Sequence, residues 1–129
     1  MQVFITGVSK TTFNQFQFRL PLLQPYDSKI MSKLNKDDVV VIVPFHYSKT
    51  WEYCNSQGWK VFILYNEYNW FLEERICESL ANEYSYLNLT KVQTYGREDL
   101  IVLHAVDKPC CYVVAYDETL SVNFVVGLI

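Results

Sequence analysis

The stretch Asp38-Val39-Val40-Val41-Ile42-Val43-Pro44 decides the fold. Five β-branched residues in a row, Val39 to Val43, favour extended backbone and leave no polar face to turn toward water. An exposed strand alternates apolar and polar residues. A strand buried on both faces does not, and the usual host of such a strand is a parallel sheet covered by helices on both sides. Pro44 removes a backbone donor and ends the run.

Working outward, helical and extended patterns alternate. Before the run, Val3–Val8 reads as a first strand, closed by Gly7 and the polar residues Ser9–Thr12. Residues 13–26 read as irregular, with Phe13, Phe16, Phe18, Pro21 and Pro25. Asp27 then suits the N-cap of a short helix, with Ile30, Met31 and Leu34 on one side and Lys29, Lys33 and Lys36 on the other. After the run, Ser48 is placed to cap a second helix through Gln57, and Gly58 sits at its stop. Lys60–Tyr65 reads as a third strand. Asn66 or Asn69 can cap a long helix to about Leu87, whose apolar positions Leu72, Ile76, Leu80 and Tyr84 recur at helical spacing.

Beyond Leu87 the pattern changes. Lys91–Tyr95, Leu100–Val106, Cys111–Tyr116 and Ser121–Leu128 are strand candidates separated only by turn-like connectors. The expected fold is therefore α/β with a mixed sheet. It has a Rossmann-like parallel first half, β-α-β-α-β-α, followed by an antiparallel meander of about four strands.

At 129 residues the chain fits a single domain, 1–129. Charged residues make up 19% against a typical value of about 25%, while Phe, Tyr and Trp are plentiful. The net charge of −3 speaks against generic duplex DNA binding, which needs a basic footprint. The charge is uneven: residues 1–60 hold seven Lys/Arg against four Asp/Glu, and residues 61–129 hold four against ten. No apolar run approaches the ~20 residues of a membrane span, and no signal-peptide pattern opens the chain. A cytoplasmic location is the expectation. Cys54, Cys77, Cys110 and Cys111 form no C-x-x-C and fit small apolar side chains better than a disulfide framework. Two histidines and these cysteines show no metal-ligand spacing, so neither a metal nor another cofactor is expected.

Ligands of open α/β sheets bind outside the carboxyl ends of parallel strands. That rule converts chain position into a site. Gly7, Ser9, Lys10, Thr11 and Thr12 follow the first strand, His46, Ser48 and Lys49 the second, and Asn66 the third. Ser-Lys-Thr occurs after two of these strands, at Ser9–Thr11 and Ser48–Thr50. Hydroxyls, a lysine and free amides at a helix start attract phosphate. Neither G-x-x-x-x-G-K-[ST] nor G-x-G-x-x-G is complete, so the loop belongs to no standard nucleotide fingerprint.

The expected function is binding of a phosphate-bearing small molecule, most naturally a nucleotide or a cyclic or oligonucleotide signal, in that crevice. The alternative is a metal-independent phosphodiesterase or nuclease in which His46 acts as base and Ser9 supplies the hydroxyl. A third reading is a protein-interaction module with an aromatic surface. The apolar C-terminal stretch Val122–Ile129, read as a strand, needs cover, and a homodimer would supply it. His104 reads as a strand residue satisfied by a neighbour.

Overall fold

The computed structural model describes residues 1–34, 37–66, 89–93, 100–105, 108–115 and 117–129. The strands are β1 (Gln2–Ile5), β2 (Leu23–Pro25), β3 (Val39–Pro44), β4 (Lys60–Asn66), β5 (Leu89–Gln93), β6 (Leu100–Ala105) and β7 (Cys110–Ala115). The helices are α1 (Lys10–Arg19), α2 (Ser28–Met31), α3 (Ser48–Ser56) and α4 (Glu118–Leu128). All the described strands join one mixed sheet in the order β2-β1-β3-β4-β7-β6-β5. Pairing is parallel from β2 to β7 and antiparallel between β7, β6 and β5.

The six residues of β3 are all buried, and the pleat explains how. Val39, Val41 and Val43 face one apolar cluster with Phe4, Met31, Trp51 and Val61. Val40 and Ile42 face a second cluster with Ile5, Phe16, Phe62, Val122 and Val125. Alternate side chains point to opposite faces, so a strand covered twice must be apolar throughout. Helices α2 and α3 cover the first face, α1 and α4 the second. The chirality of crossovers accounts for that division. The chain moves from β1 to β2 in one direction and from β2 to β3 in the other, and right-handed connections then place α1 and α2 on opposite faces.

Two expectations from the sequence are corrected. Residues 13–26 are not irregular: α1 runs to Arg19 and β2 adds a short edge strand beside β1. The alternating phenylalanines disguise the helix, because only Phe16 is fully buried and Phe18 is 89% exposed. Ser121–Leu128 is not a strand but part of α4. Asp117 caps it by accepting from Leu120 N–H at 2.8 Å, and Glu118 suits the positive end of the helix dipole. Val122 and Val125, three apart, pack onto the sheet, so burial outweighs the extended preference of valine. The second half therefore holds three described strands and a helix where about four strands were expected.

Smaller differences concern boundaries. The first strand ends at Ile5, and the third expected strand, β4, reaches Asn66. The long helix expected up to about Leu87 lies outside the described residues. No described helix is long and apolar enough to cross a membrane.

Candidate functional site at the carboxyl ends of β1 and β3

The strand order reverses between β1 and β3, where the chain leaves for β2 on one side and returns to β3 on the other. Loops diverging from such a point leave room for a ligand. Gly7 lies in the loop after β1 with φ +73°, a conformation that favours glycine. A Cβ there would come within 2.6 Å of Pro44 Cγ and Tyr47 Cδ2. Glycine thus lets the Tyr47 ring lie across the loop from β3 to β1. The His46 ring sits beside that of Tyr47, with centroids 4.5 Å apart and planes tilted by 37°. Both side chains are exposed, so the turn after Pro44 presents two adjoining aromatic faces to solvent.

The two expected phosphate loops differ in structure. At α1, Ser9 is the N-cap: its Oγ accepts from Thr12 N–H at 3.1 Å and donates to Thr12 Oγ1 at 2.9 Å. Thr12 in turn donates to Glu118 Oε2 at 3.1 Å. A hydrogen-bonded chain therefore leads from the start of α1 to a carboxylate on α4. Both hydroxyls are engaged, and a negative charge already stands beside the helix end that would attract an anion. Lys10 and Thr11 remain exposed at the rim.

At α3 the opposite holds. The N-cap is Tyr47, not Ser48 as expected, and its side chain makes no capping bond. The Tyr47 carbonyl accepts from Thr50 N–H at 3.0 Å and Trp51 N–H at 3.2 Å. The amides of Ser48 and Lys49 precede these and have no acceptor among the described residues. No acidic residue occupies the first turn, and Lys49 is exposed there. The helix is held in place from below: Trp51 is fully buried, and its Nε1–H donates to the Phe45 carbonyl at 2.9 Å. Ser9, Asp27 and Asp117 cap the other three described helices through their side chains, so α3 alone among them lacks a side-chain cap.

Gly7, His46, Ser48 and Lys49 thus meet at one end of the sheet. Asn66, at the end of β4, accepts a 2.6 Å hydrogen bond from the buried Ser121 hydroxyl and so ties α4 to the sheet. Ser9 and His46 belong to loops of neighbouring strands, yet no hydrogen bond joins them among the described residues. The sequence reading missed Tyr47 and Glu118. Tyr47 carried a local signal, since it directly follows the Pro44-Phe45-His46 turn. Glu118 carried none, being 106 residues from Thr12.

The outer face of α1 and α4 carries a shallow groove of about 560 Å³, lined in part by Asn14, Phe18, Val122 and Asn123. The Arg19 guanidinium donates to Asn123 Oδ1 across it. Of Phe13, Phe16 and Phe18, Phe16 is buried in the core and Phe13 packs against it, which leaves Phe18 as the exposed ring. Comparison of the chain with protein-family models, with curated proteins and with solved structures found no match in any of the three.

Proposed function

We propose that the protein binds a phosphate-bearing small molecule, with a nucleotide as the favoured class, at the carboxyl ends of β1 and β3. The single observation that carries this reading is the uncapped start of α3 at the point where the strand order reverses. Free amides, the helix dipole and Lys49 suit an anion. The adjoining rings of His46 and Tyr47 suit a base or another flat group. The strand order from β2 to β4, with helices on both faces, supports a Rossmann-like arrangement of the parallel part. Between the two loops first considered, the site lies at His46–Lys49, because Glu118 disfavours a second anion beside Ser9–Thr12.

The test is a thermal-shift series with mono-, di-, cyclic and short oligonucleotides and with inorganic phosphate, each mixture then separated by chromatography. A ligand at 100 times its Kd stabilises by about 2.7 kcal/mol, a shift of several degrees for a domain of this size. Lys49→Gln should reduce that shift more than Lys10→Gln does. Absence of any shift across the panel would overturn the reading. New products that disappear in His46→Ala, while inorganic phosphate still shifts that variant, would make the protein a phosphodiesterase. The Ser9 hydroxyl is engaged by Thr12, so His46 is the residue on which that alternative depends.

The homodimer stays a proposal: Val122 and Val125 are covered by the chain's own sheet, while Leu128 near the end of α4 is exposed.

A further inference from the structure

A second group of reactive side chains lies at the opposite end of the sheet, near the amino ends of β4 and β7. In the sheet register Phe62 stands beside Cys111, and Cys111 beside His104. Residues directly opposite on neighbouring strands share a face and approach closely. Here Cys111 Sγ lies 3.2 Å from His104 Nδ1. Lys60, two residues before Phe62 and on the same face, holds its ammonium 5.2 Å from the Phe62 ring centroid. Its charge favours the Cys111 thiolate, in opposition to the burial that pushes this thiol up from 9.0. Cys111 is half-buried, whereas Cys54 and Cys110 are only 0% and 2% exposed. Cys110 points to the other face of the sheet, among Trp51 and Tyr112.

We propose that Cys111 is a thiol–disulfide exchange site for low-molecular-weight disulfides, with His104 as its proton acceptor and Lys60 as the neighbouring positive charge. The Sγ–H proton passes to Nδ1 of His104, in the tautomer that carries its own proton on Nε2. The thiolate attacks one sulfur of the disulfide, whose S–S bond breaks as the new Cys111 S–S bond forms. The departing thiolate takes the proton from His104 and leaves as a thiol. One disulfide is consumed and one formed, so the exchange needs no further oxidant. The site is independent of the α3 crevice, and either reading can fail without the other.

The experiment incubates the folded protein with oxidised glutathione, quenches with acid, and follows each cysteine by peptide mass mapping, with fragmentation between the adjacent Cys110 and Cys111 to tell them apart. The expected result is a mixed disulfide on the Cys111 peptide while the Cys54 and Cys110 thiols stay reduced. His104→Gln should slow that reaction by about tenfold or more without making Cys54 or Cys110 reactive. A merely loosened fold would instead expose all three described cysteines. Lys60→Gln, at an exposed position, should slow it as well, and carries the test if the histidine variant does not fold. The proposal is overturned if Cys111 stays reduced while the denatured chain reacts, or if Cys54 and Cys110 react as fast as Cys111. An unchanged rate in the folded His104→Gln variant would also overturn it.

Discussion

Gly7 and Gly58 have nearly the same backbone, with φ +73° and +77°, but different surroundings. A Cβ at Gly58 would meet nothing within 4 Å, whereas at Gly7 it would run into Pro44 and Tyr47. Gly58→Ala should therefore cost only the left-handed conformation, about 1–2 kcal/mol. Gly7→Ala carries the same cost and must also displace the Tyr47 ring, so we expect a loss of about 2–4 kcal/mol. Urea denaturation of the two variants checks the difference, and equal losses would show that Tyr47 yields freely. The consequence for function follows from the same contact. Tyr47 is both the ring over Gly7 and the N-cap of α3, so Gly7→Ala should weaken the phosphate response at α3 while Gly58→Ala leaves it intact.

Besides the Ser121–Asn66 bond, two links of different reach hold helix α4 at its start. Asp117 caps it locally, and Asp117→Ala should cost about 1 kcal/mol. Glu118 reaches across to Thr12 at the start of α1. Thr12→Val removes that bond and the Ser9 hydroxyl's acceptor together, and should cost about 1–3 kcal/mol because Thr12 is buried. The two losses should add, since they involve different partners, and a double variant measured by denaturation tests this. The start of α1 is thereby a structural joint between two helices on one face, whereas the start of α3 has no such link among the described residues. That contrast ranks the two Ser-Lys-Thr segments, which the sequence alone leaves equal.

The two-faced core makes a prediction about alkaline stability. Burial pushes the thiols of Cys54 and Cys110 from 9.0 up to about 12. In Cys54 a backbone hydrogen bond, and in Cys110 the bond from Asn55, opposes that rise without cancelling it. Folded thiols keep their protons where unfolded ones ionise, so the folded state binds more protons between about pH 9 and 12. Stability is then full below about pH 9 and falls as pH rises through this window, by up to about 1.4 kcal/mol per pH unit for each thiol. Denaturation curves from about pH 8 to about pH 10.5 should show the decline, and Cys54→Ala should make it less steep. A slope unchanged by the substitution would place that thiol's ionisation outside the folding equilibrium.

Much of the framework was legible locally. Val39–Val43 announced a strand buried on both faces because no pleat can hide five branched apolar side chains on one side. Asp27 and Gly58 marked helix ends because capping and positive φ are short-range demands. The convergence of Gly7, His46, Ser48 and Lys49 followed from parallel strands alone. The remainder depended on partners distant in the chain. Val122–Leu128 has the composition of a strand, and it is helical because the sheet face beside α1 needs an apolar cover. Ser9 and Thr12 look like anion ligands until Glu118 is brought to them by the fold. Cys111 and His104 are seven residues apart and unremarkable in sequence, and only strand register sets them 3.2 Å apart. Periodicity and capping are properties of neighbours along the chain, whereas the charge and proton acceptors around a side chain depend on which strands pair and which helix covers them.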